Sequence, residues 1–318
     1  MVDRDDDPGA RGGLCTAAAW AGGASMTLRL KRLFNNAIFT VLILAMLTFI
    51  LAPIAWLLIS SISTDQELVE IPPHWIPQQP YFQDYASLLG APPPKSSSLL
   101  TASTIALFRT GLVNSFLVSL GVTVVCLLFG SLAAYAFARL GLPGGEKVIY
   151  VLLLAQMLPV VAILIPLYQV ITALGLLDKI PVVIVLLSMF HLPFVIWMLR
   201  GYFQTIPREL EEAAMVDGTT RAGALFKIIV PLSSPGLFAA GVYTFLQSWN
   251  AFFIPLIFTS SDTTKTVSLA IALFVGRHDT DYTLMSAAGV LASLPPIFLA
   301  LAFQRYLLAG LVSGGIKG

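Results

Sequence analysis

The chain has 318 residues, of which 57% are hydrophobic and 11% charged, and its formal net charge is +1. Its mean hydropathy of +0.85 is far above that of soluble proteins, so the composition predicts an integral membrane protein. The net charge is near zero and the basic residues are scattered, which excludes the basic patch that nucleic-acid binding requires.

The first 37 residues are predicted to be a cytoplasmic tail that is disordered up to about residue 25. Residues 1–25 mix Asp with Ala and Gly, and they lack the basic start and apolar core of a secretion signal. Met26 is followed by Arg29, Lys31 and Arg32, which suit the cytoplasmic side of a first membrane span. This pattern motivates the hypothesis that translation starts at Met26.

Six apolar stretches are long enough for a membrane-crossing helix, which needs about 20 residues. They are residues 38–59, 112–138, 148–170, 181–199, 232–258 and 284–303. The predicted fold class is therefore all-α, a polytopic membrane protein with six transmembrane helices. We expect a membrane domain over residues 38–307 and a cytoplasmic C-terminal tail over 308–318.

Lys and Arg residues predict the orientation of these spans, because cytoplasmic loops carry an excess of them. With the N-terminus inside, 13 of the 18 basic residues lie on the inner side. The other five are Lys95, Arg109, Lys179, Lys265 and Arg277. Both termini and the loop 200–230 are therefore predicted to be cytoplasmic. The Pro-rich loop 60–110 is predicted to be external. It is either a semi-rigid cover that contacts a partner or an irregular connector.

The predicted spans contain no acidic residue, although ion-driven transporters usually carry ionisable side chains within the membrane. His191 is the one His inside a span, and it has no metal-ligand spacing with His74 or His278. The run Gly141–Lys147 lacks the Gly and hydroxyl residue of a phosphate-binding loop. We therefore expect no catalytic residue, no metal site and no ATP hydrolysis by this chain.

Residues 207–231 form a charged loop between two apolar stretches. Pro207 suits a helix N-terminus, three Glu residues follow it and complement the helix dipole, and Gly218 suits a left-handed C-cap. These signals predict a helix from about Pro207 to Asp217, in which Ala213 and Ala214 form a thin face beside Glu212. The loop therefore favours docking to a soluble partner over lying flat on the membrane.

This loop resembles the EAA loop of ABC importer membrane subunits. Glu212-Ala-Ala-x-x-x-Gly218 is followed after nine residues by Ile228-x-Val-Pro231, and Val230 replaces the usual Leu. The resemblance continues through Gln247–Leu256, the run Leu291-Ala-Ser-Leu-Pro-Pro-Ile and the Gly-rich end of the chain. The sequence is similar to carbohydrate permeases of the maltose-transporter G-subunit type.

The resemblance implies a multi-pass subunit of a bacterial-type plasma (inner) membrane, paired with a second homologous permease subunit. It also implies a dimer of ABC ATPase subunits, which binds ATP and Mg, and an extracytoplasmic solute-binding protein. This chain would hold no cofactor. Glu212, Ala213 and Ala214 would contact the ATPase, Gly218 would permit the turn, and Pro231 would direct the chain into the fifth span.

Polar and aromatic residues on the fifth predicted span are candidates for a sugar pathway. Tyr243, Gln247 and Asn250 are spaced to share one helical face, with Trp249 nearby. Amides and aromatic rings suit sugars, but they also hydrogen-bond neighbouring helices. Asn114 and Gln156 are weaker candidates of the same kind.

Three alternatives to a sugar permease of an ABC importer remain open. They are a permease for glycerol 3-phosphate or a polyol, a self-sufficient secondary transporter, and a membrane-embedded enzyme or scaffold.

Overall fold

A computed structural model describes the backbone of residues 10–71, 75–92, 99–274 and 281–315, with side chains except at 10–33, 99–101 and 305–315. Every regular element in these ranges is a helix, which confirms the all-α prediction for the described part of the chain. The longer elements are α1 (Ala10–Ser60), α4 (Leu99–Arg139), α5 (Gly145–Ala155), α6 (Val160–Ala173), α7 (Ile180–Thr205), α11 (Ser234–Trp249) and α14 (Tyr282–Gly315). Shorter elements are α2 (Asp65–Val69), α3 (Gln83–Leu89), α8 (Arg208–Val216), α9 (Arg221–Ala224), a π-helical segment (Leu225–Ile229), α10 (Val230–Leu232), α12 (Phe253–Phe258) and α13 (Val267–Ala272).

The chain divides into two units, Met1–Ile59 and Ser60–Gly318. In the first unit, α1 contains the predicted first span and begins at Ala10, so residues 10–25 are helical where the sequence analysis expects disorder. In the second unit, α14 extends through the predicted sixth span to Gly315, past the expected start of the C-terminal tail.

Among the described residues, four helices are long and apolar enough to cross a membrane, and the number is six if each of two bent helix pairs forms one span. The first pair, α5 and α6, bends by 92° where one continuous span was predicted over 148–170. Pro159 lies in this break; it removes a backbone donor and disfavours helical geometry in Leu158.

The predicted fifth span, 232–258, is likewise interrupted. The helices around Arg221–Leu232 bend by 82° into α11, and a second break separates α11 from α12. Asn250 is the C-cap of α11, and its Nδ2 donates to the backbone oxygen of Leu246 at 2.9 Å. Pro255 lies within α12, so its ring cannot follow an uninterrupted helical turn.

Helix α4 is central to the second unit, since it packs against α3, α7, α11 and α13. One cluster of buried apolar residues lies between α4 and α7 and includes Val122, Val195 and Leu199. A second cluster joins α3, α4, α11, α13 and α14, and includes Phe108 and Leu284. Helix α4 therefore contributes residues to both clusters.

The described parts of the loop 60–110 contain α2 and α3, so these parts are more ordered than an irregular connector. The guanidinium of Arg109 donates to three carbonyl oxygens at the end of α3: Nε to Leu88 at 3.2 Å, and Nη2 to Ser87 and to Ala91, the latter at 3.2 Å. These bonds satisfy carbonyls that a helix C-terminus leaves without intrahelical partners. The semi-rigid interpretation is favoured for residues 83–91.

A carboxylate connects the loop before α7 to the loop after α12. Asp178 accepts hydrogen bonds from the N–H groups of Ser260 at 2.9 Å and Ser261 at 3.1 Å, and from the hydroxyl of Thr264. We call these four residues the Asp178 cluster. The Thr264 hydroxyl, followed by the Ser260 N–H, holds the pKa of the Asp178 carboxyl well below its ordinary value.

The side chain of Asn114 is hydrogen-bonded to the loop after α12, so its role is structural. Its buried amide donates to the backbone oxygens of Thr263 at 2.8 Å and Lys265 at 2.9 Å. Both hydrogens of the amide nitrogen are thus committed to the backbone, so Asn114 is a poor candidate for the sugar pathway.

Candidate functional site

Helix α8 begins and ends within one residue of the predicted bounds. Pro207 is its N-cap, in an extended conformation, and Glu209 and Glu211 lie in its first turn. Carboxylates there offset the positive end of the helix dipole. With nine residues, α8 is about 13 Å long.

The predicted left-handed cap at Gly218 is confirmed. Its φ angle is +86°, and its N–H donates to the oxygen of Met215 at 3.1 Å, while the N–H of Thr219 donates to that of Ala214 at 3.0 Å. This bond pair defines a Schellman motif. Gly218 therefore sets the direction in which the chain leaves α8.

The residues of the predicted docking face lie at the surface of the second unit. Glu212 and Ala213 are exposed and Ala214 is half-buried. Val216, at the end of α8, is 87% exposed. The arrangement leaves a carboxylate and a small side chain open to contact on a rigidly capped helix.

Glu211 differs from its neighbour, since it is the one buried residue of α8. One carboxylate oxygen accepts a hydrogen bond from the hydroxyl of Tyr135, and the other lies 3.3 Å from Nε of Arg139. Both partners belong to the last turns of α4. From sequence alone, Glu211 is predicted only to complement the helix dipole. The one sequence signal for its contacts is Arg139, a cation at the end of a predicted span.

The segment after α8 is not one regular helix. Thr220 is the N-cap of α9, and its hydroxyl accepts a hydrogen bond from the N–H of Gly223 at 3.2 Å. The chain then widens into the π-helical segment, where the N–H of Val230 donates to the oxygen of Leu225. Pro231 follows directly and is exposed; its ring would crowd the carbonyl of Lys227 in a regular α-helix, and the wider turn avoids this clash.

Beyond Pro231, the start of α11 lies against α7 at a position that accepts only glycine. A Cβ atom on Gly236 would lie 2.4 Å from Cγ of Tyr202. Such close approaches are typical of small residues between membrane helices. The chain that leaves α8 and passes through the π-helical segment is therefore packed against α7 at the start of α11.

Three of the four predicted pathway residues share a face of α11, and Trp249 does not. Gln247 and Asn250 are exposed and Tyr243 is half-buried, its ring centred 4.4 Å from that of Phe194. Trp249 is 4% exposed and its Nε1 donates to the oxygen of Ala292 at 3.1 Å. The structure therefore gives Trp249 a packing position, because its side chain points away from the shared face.

Comparison with known proteins identifies the family. Residues 127–312 match the family described as "Binding-protein-dependent transport system inner membrane component". The chain belongs to this family. The matched range includes α8, its cap and α11, so both candidate regions lie within the part that family members share.

Several curated proteins are similar over most of their length. The sulfoquinovosyl glycerol transport system permease protein SmoH of Agrobacterium fabrum is 36% identical over 84% of this chain and 89% of that protein. The trehalose transport system permease protein SugB of Mycobacterium tuberculosis is 38% identical over 67% and 78%. The trehalose/maltose transport system permease protein MalG of Thermococcus litoralis is 34% identical over 66% and 76%.

A solved structure shares the fold. It belongs to a bacterial ABC transporter involved in the import of the acidic polysaccharide alginate, with a TM-score of 0.72 and 22% identity over 86% of this chain and 96% of that one. This chain therefore has the same fold as a chain of that transporter.

Proposed function

We propose that this chain is one membrane-spanning half of an ATP-driven, binding-protein-dependent importer for a sugar or oligosaccharide, such as a maltose- or trehalose-type substrate. Its family membership and the transport systems named for SmoH, SugB and MalG support this function. The structural observation that carries it is α8, a capped helix that exposes Glu212 and Ala213 while Glu211 is held inward.

In this proposal α5 and α6 together form one span and α11 and α12 another, which gives six spans with both termini in the cytoplasm. The EAA loop then lies on the cytoplasmic side, where α8 contacts one subunit of a separate ATPase dimer that binds ATP and Mg. Glu212 faces a basic residue of the ATPase. A second permease subunit completes the pathway, and an extracytoplasmic solute-binding protein delivers the substrate.

Tyr243, Gln247 and Asn250 line this chain's part of the pathway. Exposed amides on a membrane helix are costly in contact with lipid, so the face that bears Gln247 and Asn250 is expected to border a polar cavity or the second permease. The aromatic pair Tyr243 and Phe194 offers an apolar surface to the face of a sugar ring. Trp249 supports this face from the buried side of α11.

The direct test is to purify the tagged chain in mild detergent and identify its stoichiometric partners, for the wild type and for Glu212→Lys. We expect an ATPase and a second permease with the wild type. Reversal of the charge at Glu212 should weaken ATPase association at least about tenfold, since it places like charges at the contact. Solute uptake should be lost while membrane insertion is unchanged.

Asp262→Lys is the matched control, because Asp262 is an exposed carboxylate in the loop before α13, with 73% of its side chain accessible. This variant should keep the ATPase. Normal uptake by Glu212→Lys would contradict the role of α8, and transport by the purified chain alone, without ATP, would favour a secondary transporter.

A further inference from the structure

The second unit contains a buried ionic contact between α8 and α4, which we call the Glu211 cluster: Tyr135, Arg139 and Glu211. The Tyr135 hydroxyl donates to one Glu211 oxygen, and Arg139 Nε lies 3.3 Å from the other. Arg139 Nη2 also donates to the backbone oxygen of Ile206 at 2.7 Å, the C-cap of α7. Arg139 therefore joins the ends of α4 and α7 to α8.

Helix α8 has no fully buried apolar side chain, and Met215 is half-buried. Glu211 is its one buried residue, whereas Leu210 and Val216 are 46% and 87% exposed. A short helix normally attaches to a protein by burying an apolar stripe. Here the one fully buried side-chain attachment of α8 is a carboxylate with its two partners.

The partners of Glu211 are one turn apart at the end of the central helix. Tyr135 and Arg139 are four residues apart and so share a face of α4. From this end α4 continues into contacts with α7, α11 and α13. A displacement of α8 is thus delivered to α4 through two side-chain contacts that hold both carboxylate oxygens.

Because this contact is buried, removing only one of its two charged members is costly. The side chains of Arg139 and Glu211 are 5% and 9% exposed. Removing one member of such a pair leaves an uncompensated charge, which costs more than removing both. Substitutions at the two positions should therefore be strongly non-additive.

We propose that Tyr135 and Arg139 are positioning residues that fasten Glu211, and through it α8, to α4, so that movement of α8 by an ATPase moves α4. This inference rests on the proposed function and adds to it the residues that transmit the movement. It assigns different roles to two neighbouring carboxylates: Glu212 contacts the ATPase, and Glu211 transfers the displacement into the permease.

The test uses the complete complex reconstituted with its solute-binding protein, and it measures ATP hydrolysed per solute molecule imported. Arg139→Gln and Glu211→Gln should each keep the ATPase bound and raise this ratio roughly tenfold, within the range of substitutions along a coupling network. The double variant should raise it no further than either single variant. Tyr135→Phe, which removes one hydroxyl with little change in volume, should raise it about two- to threefold.

The matched control is Glu146→Gln, which removes a pair of the same chemistry between Glu146 and Arg200, 3.2 Å apart. Glu146 is 75% exposed, so the ratio should stay within about twofold of the wild type. A merely structural role for the Glu211 cluster would reduce the amount of complex without changing ATP per solute.

An unchanged ratio in Arg139→Gln and Glu211→Gln overturns the inference, and so does an additive effect in the double variant. If the Gln variants fail to accumulate, Tyr135→Phe decides, and a wild-type ratio in that variant overturns the inference. Failure of the proposed function gives a different result, because then no ATPase accompanies even the wild-type chain.

Discussion

The two ends of α7 are attached to the rest of the second unit in contrasting ways. Before α7, the Asp178 carboxylate accepts hydrogen bonds from Ser260, Ser261 and Thr264, all on one neighbouring loop. After α7, Glu211 is held by α4 while the adjacent Glu212 is exposed. The first arrangement uses the carboxylate only to hold two loops together, whereas the second also leaves a carboxylate for a partner.

This contrast shows how the environment assigns roles to chemically identical groups. A carboxylate whose oxygens are occupied by N–H and O–H donors stabilises the local fold. An exposed carboxylate contributes little to stability but remains able to bind a partner. Substitutions before α7 should therefore change stability alone, and substitutions in α8 should change association or coupling.

The largest expected effect on stability comes from Asp178→Ala, which removes the common acceptor of the Asp178 cluster. We expect the free energy of unfolding to fall by about 2–3 kcal/mol, the order expected for several hydrogen bonds to a partly exposed charged group. Thermal unfolding of the detergent-solubilised protein measures this loss. Asp178→Asn keeps an acceptor and tolerates the φ angle of 61°, so it should lose about half as much, and equal losses in the two variants would contradict the account.

Asp84, a buried residue in the first turn of α3, gives the next largest effect on stability, and this effect depends on pH. Burial, and secondarily the charge of Asp281, raise the Asp84 pKa from 3.8 to about 6. Between these values the folded protein binds a proton that the unfolded chain releases, so stability falls as pH rises from about 4 to about 6. Relative to Asp84→Asn, the wild type should lose at most about 2 kcal/mol across this window.

Unfolding temperatures of the wild type and Asp84→Asn at pH 4, 5, 6 and 7 test this dependence. Their difference should change between pH 4 and 6 and then level off. Parallel curves over the whole range would show that the Asp84 carboxyl titrates normally in the folded protein.

Gly218→Val tests whether the cap of α8 affects association with the ATPase. A β-branched residue at φ +86° is strained by about 1–2 kcal/mol, and this strain acts on the Schellman cap. We expect weaker ATPase association and a fall in the free energy of unfolding no larger than this strain, because α8 buries no apolar residue. Gly218→Asn tolerates the left-handed conformation better, and it should keep more of the association; an equal loss in both variants would exclude backbone strain as the cause.

The smallest effect is expected for Asp262→Asn. Asp262 pairs with Lys265 at 2.7 Å, but its side chain is 73% exposed. Exposed pairs typically contribute less than about 1 kcal/mol, so the unfolding temperature should match the wild type within error. A loss as large as that of Asp178→Ala would show that surface pairs, rather than the Asp178 cluster, hold this loop.

Much of the helical content follows from local sequence. Long apolar runs predicted the helices that contain residues 38–59, 112–138, 181–199 and 284–303. Pro207 and Gly218 placed α8 to within one residue, because caps act through neighbouring backbone groups. The breaks near Pro159 and Asn250 were not predicted, since membrane helices also tolerate Pro when their neighbours satisfy the freed groups.

The roles of individual side chains were harder to predict. Glu211 and Glu212 are identical in type, and the inward one is the one that meets Tyr135 and Arg139 at the end of α4. Trp249 is adjacent to the predicted polar face, but its partner Ala292 belongs to another helix. Such assignments depend on how α4, α8, α11 and α14 pack, and no spacing within one segment encodes that packing.

The central claim is that the exposed face of α8 contacts an ATPase, and site-directed cross-linking tests it most directly. Ala213→Cys would be introduced with Cys15→Ser and Cys126→Ala in the native host and labelled with a benzophenone maleimide. On irradiation the attached ketone inserts into a C–H bond of the polypeptide that contacts position 213. The account predicts a covalent product between this chain and an ABC ATPase, which mass spectrometry would identify. It also predicts no such product from Ser260→Cys, an exposed position in the loop before α13. An ATPase product from Ser260→Cys but not from Ala213→Cys, or from neither variant, would contradict the claim.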